Sequence, residues 1–256
     1  MKKQFLTVIA AILLLAGMAG VSEATLTTIG TANYLSSDYK LIYDDDDTGH
    51  GGGGLVWLDY TKSMDTWQNQ VNWASGIGSS LTVTLNPGYT TSIDWTTGWR
   101  LPDTVDGYWV LGYEGDPDND GIYNYTYGHN LANSEMGHLY YEELGNLGYQ
   151  NTNGSYNTTP SGPNYFLQNT GDFDNLIASW YWSGTEYAYN TDVAWTFNMD
   201  GGNQGTHYKP HNGYGLAVRS GQVSAAPVPE PATMLLLGSG LAGLGILRRK
   251  LRRRHG

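Results

Sequence analysis

The feature that most constrains this chain is a segment that does not suit a water-soluble fold. Ala232 to Leu247 is apolar and Gly-rich, and it is followed by Arg248, Arg249, Lys250, Arg252, Arg253 and Arg254. As a helix rising 1.5 Å per residue it would span about 24 Å, a little short of the roughly 30 Å hydrocarbon core of a bilayer. Pro231 suits the first turn of such a helix, and the basic cluster favours the cytoplasmic side. The expectation is a membrane helix over 232–247 with the remainder of the chain outside.

The other end agrees. Lys2 and Lys3 precede an apolar run from Phe5 to Val21, which closes in Ser22-Glu23-Ala24. A basic start, a short apolar stretch and a small-residue exit form a secretory signal peptide, with signal peptidase cutting between Ala24 and Thr25. The organisation expected is therefore a signal peptide over 1–24, an extracellular domain over 25–224, and a linker with the apolar tail over 225–256. One motif in the tail is deceptive. Gly238-Ser239-Gly240-Leu241-Ala242-Gly243 fits the dinucleotide pattern G-x-G-x-x-G, but that pattern acts only between a strand and a helix of a βαβ unit. Here the glycines read as small residues of a membrane helix.

Removing the ends changes the charge. Between Thr25 and Ala226 there remain five Lys and Arg against 22 Asp and Glu, a net charge near −17 compared with −11 for the whole chain. Such a domain repels nucleic acid and anionic membrane surfaces. There is no cysteine, so packing or a bound metal must hold the fold in an oxidising compartment. The 20 Tyr, nine Trp and 35 Gly describe a loop-rich domain with short strands rather than a disordered chain.

Along the domain, Thr25 to Tyr43 supplies a first strand or two. Asp44 to Gly54 is a solvated acidic and Gly-rich loop, and Leu55-Val56-Trp57-Leu58 is a short buried strand. Ser63 is placed to cap a helix carrying Met64, Trp67, Val71 and Ala74 on one face and ending near Gly76. A second helix runs from Ser134 to Gly148, with Met136, Leu139, Tyr140, Leu144 and Leu147 on its apolar face. A polar loop follows from Asn151 to Pro163. Tyr181–Ser183, Val193–Met199, Gln204–Lys209 and Leu216–Arg219 read as short antiparallel strands, with Asp200-Gly201-Gly202-Asn203 as a hairpin turn. Two helices followed by antiparallel strands predict an α+β domain.

Two resemblances add to this. Val228-Pro229-Glu230-Pro231-Ala232-Thr233, the run Leu237 to Leu244 and the terminal Arg cluster together resemble the PEP-CTERM sorting signal. The resemblance implies recognition at Pro229-Glu230-Pro231 by an exosortase in a Gram-negative, exopolysaccharide-producing host. It also implies transient anchoring in the inner membrane and delivery to the cell surface or extracellular matrix. Within the domain, Gly54-Leu55-Val56-Trp57-Leu58-Asp59, Trp73-Ala74, Gly98-Trp99-Arg100-Leu101-Pro102, Trp180 to Glu186, Ala194-Trp195 and Ala217-Val218-Arg219 occur in that order. This order is similar to the DUF1566 family, or Lcl C-terminal-like domain, over roughly residues 40–222. That family implies a C-type-lectin-like fold related to the formylglycine-generating-enzyme domain. Asp103 to Asn133 departs from the family pattern as an insertion before the second helix.

The strongest small motif lies in that insertion. Asp116, Asp118 and Asp120, with Gly121, the carbonyl of Ile122 and Asn124, follow the first half of an EF-hand calcium loop. The bidentate acid expected at the last position is replaced by Tyr127. Calcium is the one cofactor the sequence points to. Glu142, Glu143, Asp172 and Asp174 offer carboxylates of the type a glycosidase pairs across a cleft, but adjacent glutamates on a helix mostly face solvent. His207 and His211 are four apart with Pro210 between them, against helical metal ligation. No catalytic motif stands out. Tyr181, Tyr187, Tyr189, Trp195, Tyr208 and Tyr214 lie on the late strands and can stack on sugar faces where exposed. The expected function is a non-enzymatic surface or matrix module binding glycan or protein. The alternatives are a secreted polysaccharide-active enzyme and a purely structural matrix component.

Overall fold

The computed structural model describes residues 26–45, 54–113 and 125–226. Two hairpin strands, β1 (Thr27–Tyr34) and β2 (Ser37–Asp44), lead into the long β3 (Leu55–Asp65). Helix α1 (Trp67–Gly76) and a 3-10 turn (Ile77–Ser80) precede β4 (Thr82–Leu85), β5 (Tyr89–Thr91) and β6 (Trp99–Arg100). The insertion contributes β7 (Leu111–Gly112) and β8 (Tyr127–His129). A short α2 (Glu135–His138) passes into a π-helical turn (Leu139–Glu143). The last strands are β9 (Trp180–Glu186), β10 (Val193–Asn198), β11 (Asn203–Tyr208), β12 (Gly213–Ser220) and β13 (Val223–Ala225).

Eleven strands form one sheet in the order β4-β1-β2-β3-β12-β9-β10-β11-β8-β7, with β6 beside β12. Two mainly antiparallel halves meet where β12 runs parallel to β9 at Tyr214 and Tyr181, and β7 also runs parallel to β8. β13 and β5 make a separate two-stranded ribbon. The central strands are apolar in unbroken runs because both sheet faces are buried. Leu55 and Trp57 join one core with Ile42, Leu216, Val218 and Tyr181. Val56 and Leu58 join the other with Leu41, Tyr43, Ala217 and Trp182. Successive side chains alternate between the faces, as a period of two requires. α2 and its π turn cover the first face through Met136, Leu139, Tyr140 and Leu144. α1 covers the second through Ala74.

This corrects the expected fold class. The domain is mostly β, built on a large mixed sheet, and is not an α+β C-type-lectin-like domain. Three local causes account for the difference. The insertion pairs β8 to β11 and β7 to β8, so it lengthens the sheet. The segment read as the first turn of helix stays extended: β3 pairs with β12 as far as Asp65 opposite Gly213, so Thr66 rather than Ser63 takes the N-cap position of α1, without a side-chain capping bond. The second helix is short because Gly145, at φ 62°, turns the chain out of helix before Leu147, which is exposed. No helix among the described residues is long and apolar enough to cross a membrane. The membrane helix expected over 232–247 lies outside the described residues, as does the signal peptide over 1–24.

The motif residues of the sheet centre act as ties between distant segments. Arg100 donates from Nη1 to Glu135 Oε2 at 2.7 Å and from Nη2 to Glu135 Oε1 at 2.6 Å. The Asp103 amide adds a third bond to Oε2 at 2.7 Å, so the buried Glu135 fixes the start of α2 to the end of β6. Ser134 caps the same helix by accepting from the Gly137 amide at 2.9 Å. Asp59 accepts from the amides of Asp174 and Asn175 at 3.0 and 2.9 Å and orders that loop.

Candidate functional site

The insertion positions the most promising concavity. β8 adds to β11 with His129 opposite Asn203 and Gly128 opposite Gln204. Gly128 adopts φ 127°, and a Cβ there would run into the Gly112 carbonyl oxygen, so glycine is required for β7 and β8 to approach. Beyond β11 lies the hairpin turn at Asp200–Gly202. The segment from Tyr149 to Phe166 folds back on that turn through Tyr149 N–H to Gly201 O at 2.8 Å and Phe166 N–H to Asp200 O at 3.0 Å. Between them opens a cleft of about 520 Å³ lined by His129, Tyr149, Tyr165, Phe166, Asp200 and Asn203, among others.

Its walls combine the rings of Tyr149, Tyr165 and Phe166 with the polar side chains of His129, Thr159, Asp200 and Asn203. Tyr149 packs edge-on against Phe166 at 5.7 Å and tilted against the exposed Tyr156 at 5.0 Å. Tyr149 and Tyr165 are 42% and 55% exposed, enough to offer a ring face to a ligand. Burial lowers the His129 pKa, partly offset by a bond with Gln150, which keeps the imidazole neutral near pH 7. Burial raises the Asp200 carboxyl, partly offset by the Asn198 side chain. Flat apolar faces beside a neutral imidazole, a carboxylate and an amide suit a polyol with C–H faces and hydroxyl edges.

A second aromatic group forms a ledge. Trp109 stacks on Tyr127 at 4.1 Å and on the buried Trp195 at 5.9 Å, and Tyr108 stacks on Tyr189 at 4.3 Å. Asp106 anchors it, accepting from Trp195 Nε1 at 2.9 Å and the Ala188 amide at 3.1 Å. The aromatics singled out in the sequence therefore divide. Tyr181 and Trp195 are core; Tyr187 and Tyr214 are half-buried; Tyr189 and Tyr208 are exposed. The cleft's own Tyr149, Tyr165 and Phe166 flank the stretch read as a plain polar loop, where the recurrence of rings at 149, 156, 165 and 166 was the signal.

The carboxylates considered for catalysis are engaged apart from the cleft. Asp172 accepts from the Thr28 amide and hydroxyl, and Asp174 pairs with Lys40 at 2.8 Å. Glu142 is exposed, whereas Glu143 turns inward toward His138. The His207 and His211 rings meet, with their Nδ1 atoms 2.8 Å apart, and His207 stacks on Trp180 at 4.7 Å. Asp44, expected in a solvated loop, is fully buried at the end of β2. Its ligand atoms gather with those of His138 and Glu143. The calcium residues Asp116, Asp118, Asp120, Ile122 and Asn124 lie outside the described residues, as do Ala24, Thr25, Pro229, Glu230 and Pro231.

Comparison with known proteins bears on the tail. No curated protein and no solved structure matches the chain. The DUF1566 resemblance of the domain finds no support there. The model of the PEP-CTERM protein-sorting motif matches residues 227–253, a span that holds Pro229-Glu230-Pro231, the apolar run and most of the basic cluster. The chain therefore carries the C-terminal sorting signal of an exported protein processed by an exosortase.

Proposed function

We propose that this is a cell-surface or extracellular-matrix protein of a Gram-negative bacterium whose β-rich domain binds a glycan without chemically altering it. The observation that carries the reading is the cleft walled by Tyr149, Tyr165 and Phe166, in a chain that carries the sorting signal of an exported protein. Exopolysaccharide is the glycan most abundant where such a protein arrives. Signal peptidase and exosortase are its processing partners, with the inner membrane as a transient station. The motif order shared with DUF1566 stays part of the proposal as a sequence resemblance alone. Calcium bound over Asp116 to Asn124 also stays part of it, tested by a rise in melting temperature with calcium and a fall with EGTA.

The test is a glycan array with the exported protein, followed by calorimetry on the best ligand. Tyr149→Ala and Tyr165→Ala each remove a stacking face worth about 0.5–1.5 kcal/mol, so each weakens binding by about 2–12-fold. Unchanged affinity in both variants would remove the cleft from the proposal. Absence of any bound glycan favours a structural matrix component, and release of reducing sugar from host polysaccharide favours an enzyme.

A further inference from the structure

A different part of the molecule gathers the chemistry of a metal centre. Asp44 ends β2, His138 ends α2 and Glu143 ends the π turn. One ligand atom from each lies within 4.8 Å of the other two. All three side chains are sequestered: Asp44 is 0% exposed, His138 is 8% exposed, and the Glu143 side chain is 3% exposed. His138 Nε2 is buried without a hydrogen-bond partner; Glu143 Oε1 stands 3.5 Å away, too far for a good bond. A buried imidazole nitrogen is thus held beside the Glu143 carboxylate, with Asp44 in the same cluster, and makes no good hydrogen bond.

The backbone is shaped for this. In a regular α-helix, residues five apart point about 140° away from each other. Here the Leu144 amide bonds the Leu139 carbonyl at 2.9 Å, the i→i+5 pattern of a π turn. The wider turn brings His138 and Glu143 to the same side. π turns are rare and gather at functional sites. Carboxylates sequestered beside an imidazole favour a cation among them.

We infer that Asp44, His138 and Glu143 bind one divalent cation of the zinc or manganese class. One nitrogen and two carboxylate donors suit these ions, whereas calcium takes oxygen ligands alone. Tetrahedral zinc sets its ligands about 3.4 Å apart, so side-chain rotations of an ångström or so close the cluster. The ion fastens the end of β2 to α2 across 94 positions of sequence, the role a disulfide fills in other exported domains. This site is independent of the glycan cleft.

The full chain, purified after export and stripped by chelator, is titrated with Zn²⁺ and separately with Mn²⁺. Retained metal is counted by mass spectrometry after desalting, and Co²⁺ loading is followed by its visible spectrum. The expected result is one ion per chain, lost in His138→Ala. Glu143→Gln weakens binding more than about tenfold, since even outer-sphere partners contribute 10–100-fold. Its circular dichroism in chelator matches that of the stripped wild type, so it carries the test if His138→Ala does not fold. Two control variants, Asp116→Asn with Asp118→Asn and His207→Ala with His211→Ala, keep the ion. Failure of the stripped wild type to retain an ion overturns the site. So does undiminished affinity in Glu143→Gln, or loss of the ion in either control.

Discussion

Glu135→Ala tests how the start of α2 is held. Glu135 is 1% exposed and accepts three short bonds, two from Arg100 and one from the Asp103 amide. Removing one partner of a buried ion pair costs about 3–5 kcal/mol, because the other charge is left uncompensated. The Arg100 side chain is 31% exposed and recovers some hydration, and Asp103 stands 3.3 Å from its Nη1, so the lower end applies. A loss of about 3 kcal/mol lowers the melting temperature by about 6–12 °C in a domain of this size. Thermal and urea unfolding of the exported protein measure it. Glu135→Gln keeps one good acceptor and falls between the wild type and Ala. Arg100→Met combined with Glu135→Leu, which leaves no charge stranded, is more stable than Glu135→Ala. A fall of less than about 3 °C for Glu135→Ala, or a double variant less stable than the single, would refute the account.

Gly128→Ala forces a Cβ into the Gly112 carbonyl at φ 127°, and about 2 kcal/mol of lost stability should appear in urea unfolding together with a weakened cleft. The β1–β2 hairpin turns through Leu35 at φ 51° and Ser36 at φ 65°, a geometry that favours Asn-Gly; Leu35→Asn with Ser36→Gly should raise the melting temperature by about 2–4 °C, as about 1 kcal/mol of strain is relieved. Burial raises the Asp59 pKa, and the amides of Asp174 and Asn175 only partly offset it. A carboxyl whose folded pKa exceeds its unfolded value binds its proton more tightly when folded, so its contribution to stability falls as pH rises through the window above the ordinary Asp value. The stability advantage of the wild type over Asp59→Asn should therefore shrink as pH rises from about 4, and an advantage that grows would contradict the burial argument.

What the sequence made legible follows from the range of the interactions. Leu55 to Leu58 was readable as a buried strand because burial on both faces leaves no polar position in the run. Met136, Leu139, Tyr140 and Leu144 were correctly expected in the core, since apolar spacing survives a short helix. Helical periodicity reveals neither the added residue of the π turn nor the exit from helix at Gly145, and because of that exit Leu147, expected inside, lies outside. The cleft was hidden for a different reason. Its walls come from the hairpin turn at Asp200 and a loop more than thirty residues earlier, joined by backbone bonds such as Phe166 to Asp200 that leave no side-chain signature. Asp44 was misplaced because four adjacent aspartates suggest solvent, whereas strand pairing with Leu55 carries the first of them inside.

The resemblance motifs gain a physical meaning independent of any family. A domain without cysteine must fasten its loops to its sheet by other means, and this one uses a few polar side chains at long sequence separation. Arg100 clamps Glu135, and Asp59 orders the loop at Asp174 and Asn175. Asp106 holds Trp195 and the Ala188 amide. Arg219 lies over Trp95 at 5.7 Å while donating to the carbonyls of Asp94 and Thr97. The two arginines each engage several acceptors through a planar fork, which a lysine ammonium does not reproduce. Lysine at position 100 or 219 should therefore destabilise the domain, whereas arginine at the half-buried Lys62, which donates to the neighbouring Ser63 hydroxyl, should not. Position-dependent tolerance of the same charge would show that these residues are retained for geometry rather than for net charge.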